Sequence, residues 1–189
     1  MPMSTLTLLL FLFPLAYSPG PGNLFFAALG ARAGWRAALP AFWGYHGATL
    51  LAALATGAGL MVLAGPELMR ALGLAGSAYM LWLALKLWRA GAANPSAPPA
   101  RASMLDGAAL LALNPKAWAI MAALFAHYPD ANTFKIAEVA AVFTLNNALA
   151  FAIWTLAGYA LLAKPSYARL ANRVFALILA AVALHLALG

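Results

Sequence analysis

The chain has 189 residues, 66% of them hydrophobic and only 8% charged, which excludes a soluble globular domain and makes it an integral membrane protein. Its formal charge of +7 is scattered between apolar runs, so nucleic-acid binding is excluded and membrane orientation accounts for the basic residues. Without cysteine, and with only Glu67, Asp106, Asp130 and Glu138 as carboxylates, no disulfide framework, resident metal, cofactor or paired-carboxylate catalysis is expected.

Spans of about 20 residues are needed to cross about 30 Å of hydrocarbon. The first candidate runs from Thr5 to Leu29. No lysine or arginine precedes its apolar start, and no A-x-A-like site follows, so it reads as a retained span rather than a signal peptide. Ser18-Pro19-Gly20-Pro21-Gly22-Asn23 interrupts it. The prolines lack N–H groups, and the glycines make left-handed turns accessible. Backbone groups freed inside hydrocarbon would cost several kcal/mol each, so the break should face a cavity. Asn23 before Leu24 reads as the N-cap of a restarted helix. The second span, Leu39 to Leu63, carries Tyr45 and His46; the third is Leu68 to Trp88. Gly30 with Gly34, and Gly44 with Gly47, suit close helix packing.

Residues Ala90 to Arg101 read as a linker dividing the single transporter domain into repeats of about 1–90 and 102–189. The fourth span, Met104 to Ala126, is interrupted at Asn114-Pro115-Lys116, with Asn114 as N-cap and Pro115 at the first helical position. The fifth, Ile136 to Leu162, holds adjacent Asn146 and Asn147; the sixth is Leu170 to Leu188. From Asn23 to Arg32 is roughly 13 Å of helix, and from Asp106 to Asn114 roughly 12 Å, so both breaks fall near mid-membrane.

The first, third and fifth connections carry Arg32, Arg36, Lys86, Arg89, Arg101, Lys164, Arg169 and Arg173, against Arg70 and Lys135 in the other two. Positive residues stay inside, which places both termini outside the cytoplasm. The fold class expected is therefore all-α, with six transmembrane helices in two inverted three-helix repeats and the first and fourth helices broken at mid-membrane. Paired interrupted helices are a transporter's signature of a midplane substrate site. Trp35, Trp88, Tyr128 and Tyr167 lie near span ends and read as interfacial anchors.

Several polar residues sit deep in these spans. Lys116, second in its restarted helix, opposes the helix dipole and reads as a counter-charge for a substrate carboxylate, as a gate paired with Glu138 or Asp106, or as a side chain snorkelling to water. His46, whose ordinary pKa of about 6.5 lies near neutrality, is either the proton-coupling group or a buried neutral histidine bonded to a carbonyl. Asn146 and Asn147 either bond neighbouring helices or reach the cavity. Trp154 lies seven residues after Asn147, on the same helical face. Tyr45, with Trp43 and Trp118, offers an aromatic face to a substrate ammonium.

The Ser-Pro-Gly-Pro-Gly-Asn element, Gly30-Ala31-Arg32-Ala33-Gly34, Gly44 and Gly47, Gly76-Ser77-Ala78-Tyr79, Asn114-Pro115-Lys116-Ala117-Trp118 and Ala171-Asn172-Arg173-Val174 together resemble the lysine exporter (LysE/RhtB) family of amino-acid efflux permeases over nearly the whole chain. The resemblance implies a small exporter of amino acids or close derivatives in the bacterial cytoplasmic membrane, driven by proton exchange. It also implies that Pro19, Gly20, Pro21 and Asn23, with Asn114, Pro115 and Lys116, line the path. Many relatives carry an acidic residue near the position of Ala48, where this chain offers Tyr45 and His46; that departure argues against a strongly cationic substrate. The partners expected are a small amino acid and the bilayer, with homo-oligomerisation left open. Rival readings are a cation or metal exporter on the same scaffold, and a non-transport intramembrane enzyme or assembly subunit. No nucleophile–base set or H-E-x-x-H motif supports the enzyme.

Overall fold

The computed structural model describes residues 4–59 and 102–162 and most helical positions within 67–89 and 170–184. The third and sixth spans are thus described only in part. The linker of residues 90–101, Gly76, Tyr167, His185 and the 171–172 portion of the Ala-Asn-Arg-Val element lie outside the described residues.

Six helices build the described core: α1 (Thr5–Tyr17), α2 (Pro21–Ala33), α3 (Trp35–Gly57), α4 (Met104–Ala112), α5 (Pro115–Ala126) and α6 (Thr133–Leu162). The predicted breaks divide the first and fourth spans: α1 and α2 meet at a bend of 59°, and α4 and α5 at 62°. Among the described residues, one helix is long and apolar enough to cross a membrane, over Thr133–Ala160, or up to three if each bent pair counts as one span. Helix α3, at 23 residues, is long enough but less apolar, because it carries Tyr45, His46, Thr49 and Thr56 inward, all buried. Thr49 and Thr56 each return their hydroxyl to the carbonyl four residues back, at 2.8 Å, which satisfies them within the helix.

Local signals set the helix starts. Ser4 caps α1 by accepting from Thr7 N, and Ser103 and Asp106 form a capping box at α4. Gly34, at φ +80°, closes α2 and opens α3 in one residue, a conformation that glycine adopts at little cost.

The unbroken helix of each half packs on the broken span of the other. Helix α6 lies along α2, and α3 lies along α4, with α3 and α6 also in contact. Glycines permit these approaches. A Cβ on Gly30 would overlap the carbonyl of Thr155, and one on Gly158 that of Ala27; on the other crossing, Gly44 faces the Met104 carbonyl and Gly107 that of Ala41. Gly47 departs from expectation, since a Cβ there would meet no described atom within 4 Å.

Two apolar clusters result. One unites α2, the first half of α3, α4 and the end of α6 around Phe26, Tyr45 and Phe151; the other joins α1, the end of α3, α5 and the start of α6 around Leu12, Met121 and Phe143. Tyr128 is buried in the second cluster rather than exposed as an anchor, because the chain after α5 folds back onto α6. Trp35 and Trp88 stay partly exposed, each beneath a guanidinium, Arg36 at 5.2 Å and Arg173 at 5.6 Å.

Candidate substrate site

The two breaks meet where the clusters join, and a small cavity lies between them. Its walls are Leu15, Ala16 and Asn23 from the first span, Tyr45 from α3, Asn114, Lys116, Ala117 and Ile120 from the second break, and Phe143, Asn147 and Phe151 from α6. Its usable volume is about 10 Å³, room for about one water, so the site as it stands is too narrow for an amino acid.

At the first break the end of α1 presents carbonyls with no helical partner. Side chains take them in succession. Ser18 Oγ donates to Leu15 O at 3.2 Å, Asn23 Nδ2 to Ala16 O at 2.9 Å, Trp154 Nε1 to Tyr17 O at 3.1 Å, and Lys116 Nζ to Ser18 O at 2.9 Å. Asn23 is therefore not the expected N-cap. Helix α2 starts three residues earlier, with Gly20 as cap and Pro21 in its first turn, which leaves Asn23 inside that turn with its amide turned back to α1. No side chain caps α2.

The glycines of this break serve space rather than left-handed geometry. Gly20 has φ −163°, ordinary extended backbone, but a Cβ there would lie 3.0 Å from both Cδ and Nζ of Lys116. One on Gly22 would overlap the ring of Phe151. Among the described residues only Gly34 and Gly59 have positive φ.

The second break follows the expected chemistry. Asn114 is the N-cap of α5, its Oδ1 accepting from Ala117 N at 3.4 Å, and Pro115 opens the helix. Asn114 Nδ2 donates to the hydroxyl of buried Tyr45 at 2.9 Å, with Asn147 beside the same hydroxyl. An indole again takes a loose carbonyl, Trp118 Nε1 donating to Ala112 O at 2.9 Å. Each break thus has one tryptophan as a backbone donor, which removes Trp118 from the aromatic faces free for a ligand; Trp43 is 63% exposed and points away from the cavity.

Lys116 reaches neither expected carboxylate. Glu138 pairs with Lys135 at 2.9 Å, and Asp106 is spent on the Ser103 cap. The lysine instead crosses to the other break, where Nζ also donates to Ser18 Oγ at 2.9 Å. This answers the dipole conflict: the stem leaves the positive end of α5, and the amine rests at the negative, carbonyl end of α1.

His46 lies behind the cavity wall rather than in it. Its Nδ1 is 2.8 Å from Phe42 O; a carbonyl only accepts, so Nδ1 carries a proton. Its ring packs on Phe42, Tyr45 and Phe151 at centroid distances of 4.3, 5.3 and 5.3 Å, and Nε2 is buried with no hydrogen-bond partner.

Of the residues singled out in the sequence, Asn23, Tyr45, Asn114, Lys116 and Asn147 line the cavity, and Gly20 supports Lys116. Pro19 is exposed, while Pro21 and Pro115 break the helices without lining the cavity. Asn146 stands outside the lining, since adjacent residues on a helix diverge by about 100° and Asn147 takes the inward position. Sequence reasoning missed Phe143 and Phe151, although each sits four residues from Asn147, on its face of the helix.

This arrangement belongs to a known lineage: residues 13–189 match the family described as LysE type translocator. The chain belongs to that family. Neither a curated protein nor a solved structure matches it. A LysE type translocator is a membrane transport protein, and the apolar helices described above accord with that.

Proposed function

We propose that this translocator is a secondary active exporter of a small neutral amino acid or close derivative, coupled to proton entry, in the bacterial cytoplasmic membrane. Two inverted three-span repeats alternate access around the paired breaks, with both termini outside. The observation that carries the reading is the cavity where the breaks meet, walled by asparagine amides, aromatic rings and one lysine. The reciprocal packing of each unbroken helix on the other half's broken span supports the repeat.

An amino acid brings a carboxylate and an ammonium, and the site holds a complement for each. Because α2 has no side-chain cap, whereas Asn114 caps α5, the carboxylate goes to the first-turn N–H groups of α2, with Asn114 Nδ2 and Asn147 close by. The ammonium goes to the carbonyls closing α1, against the ring of Tyr45. The space in the closed form is far below the volume of any amino acid, so binding requires the walls of the cavity to part. Moving one proton inward per zwitterion draws about 2.3 kcal/mol from each 100 mV of potential. A metal cation suits the site less well, because its ionisable wall groups are a lysine and a phenol.

The test uses cells expressing the chain and fed individual dipeptides. Faster release of one or more neutral amino acids than in control cells is expected, lost in Lys116→Ala and reduced in Asn23→Ala. Equal release with and without the protein, for every dipeptide, would contradict the reading.

A further inference from the structure

The amine of Lys116 sits where the substrate's own amine is expected to bind. Ser18 Oγ has one proton, and it is donated to Leu15 O. That hydroxyl therefore accepts from Nζ, as does the Ser18 carbonyl, and the two contacts at 2.9 Å form an acceptor pair at the negative end of α1. Gly20 keeps the floor of this subsite open, with Cδ and Nζ both 3.0 Å from where a Cβ would stand. Among the described residues nothing else facing it balances a charge. The first break contributes Ser18, which stands outside the cavity lining and is met by Lys116 reaching out of it, and no ionisable group, with Tyr17 next to it stacked on Phe13; α3 contributes the Tyr45 phenol, held by Asn114, with His46 behind it; α6 contributes Asn147, Phe143 and Phe151; α5 contributes only Lys116 itself. Among the described carboxylates, Asp106 and Glu138 are engaged elsewhere.

We propose that the Ser18 carbonyl and hydroxyl form a subsite for one primary ammonium, occupied alternately by protonated Lys116 and by the ammonium of the substrate, so that Lys116 is the proton-exchange group. The proposal rests on the amino-acid export reading and gives its coupling a location. When the emptied site faces outside, the lone pair of Nζ takes a proton from water, and the lysine ammonium settles on Ser18, filling the site for the return. On the cytoplasmic side the proton leaves to water, the neutral amine releases the acceptor pair, and the substrate's ammonium takes its place. One N–H bond forms outside and one breaks inside per zwitterion exported. Proton and substrate exclude each other because both need the same two oxygens, which is the condition for antiport. His46 has no part in this exchange, its Nδ1 being held on Phe42 O and its ring packed behind Tyr45 and Phe151, away from the Ser18 oxygens.

The test separates two modes of transport in proteoliposomes holding the full-length chain, with a radiolabelled mixture of neutral L-amino acids as probe. Substrate-for-substrate exchange never returns an empty carrier; uptake driven by a pH gradient must. Lys116→Gln is expected to lose gradient-driven uptake by at least about tenfold while exchange falls by no more than about threefold. Lys116→Arg, whose guanidinium stays protonated, is expected to lose both by at least about tenfold, since the fixed cation never leaves Ser18. Ser18→Ala is expected to shift the pH midpoint of gradient-driven uptake, because one of the two oxygens is gone. Gradient-driven uptake retained in Lys116→Gln, or exchange in Lys116→Arg equal to the parent, would overturn the proposal. So would an unmoved midpoint in Ser18→Ala. Absence of exchange by the parent chain with every amino acid would instead refute the export reading beneath it.

Discussion

At the scale of single residues, the two asparagines and the glycines of the breaks show how far chemistry can be read ahead of coordinates. Asn114 caps a helix because its side chain is short, precedes a proline and has nothing better to bond locally. Asn23 instead follows its proline, and because Pro21 has already opened α2 its amide is drawn to the nearest loose carbonyl, that of Ala16. A competing acceptor seven residues back is invisible to local rules. Gly22 is a similar case, needed because Phe151 of another helix fills the space its side chain would take. Gly22→Ala is accordingly expected to destabilise the protein by about 1–3 kcal/mol through overpacking. Thermal unfolding in detergent measures this, and adding Phe151→Leu should recover most of the loss. A Gly22→Ala variant as stable as the parent would show that the break and α6 are further apart than described.

Whole elements were more legible. The breaks, the linked half-helices and the cavity between them follow from two prolines with neighbouring small or capping residues inside apolar runs, because hydrocarbon leaves freed backbone groups no partner but protein. Which elements touch was not legible. That α6 lies along α2, and α3 along α4, depends on glycines whose partners are backbone carbonyls on distant segments, and nothing in Gly158 or Gly107 names Ala27 or Ala41 as the neighbour. The tryptophans belong here too: Trp118 reads in the sequence as an aromatic face for a ligand and Trp154 as a neighbour of Asn147 on its helical face, but both serve as donors, to the carbonyls of Ala112 and Tyr17. Close crossings tolerate little added volume. Gly158→Val is expected to push α6 off α2, destabilising by about 1–3 kcal/mol or more and reducing the yield of monodisperse protein on size-exclusion chromatography. An unchanged yield and melting temperature would mean that the crossing is not a tight one.

For the molecule as a whole, the site depends on two segments 98 residues apart in sequence, Ser18 and Lys116, being held together by the crossed packing of the halves. In the exporter proposed above, charge asymmetry would orient the chain and hydropathy would set the spans, while the helix breaks place polar groups where a bilayer would otherwise forbid them. On the proposed mechanism, the cavity, narrowed to about one water, must widen and open to each side in turn. The absence of cysteine allows a direct test. Ala16 and Ala117 line the cavity from opposite breaks. With cysteine at both positions, a short thiol-cleavable crosslinker should join the breaks and stop amino-acid release from dipeptide-fed cells, and cleaving the linker should restore it. A linked protein that goes on exporting at the unlinked rate, or a pair that never links, would contradict a transport path running between the two breaks.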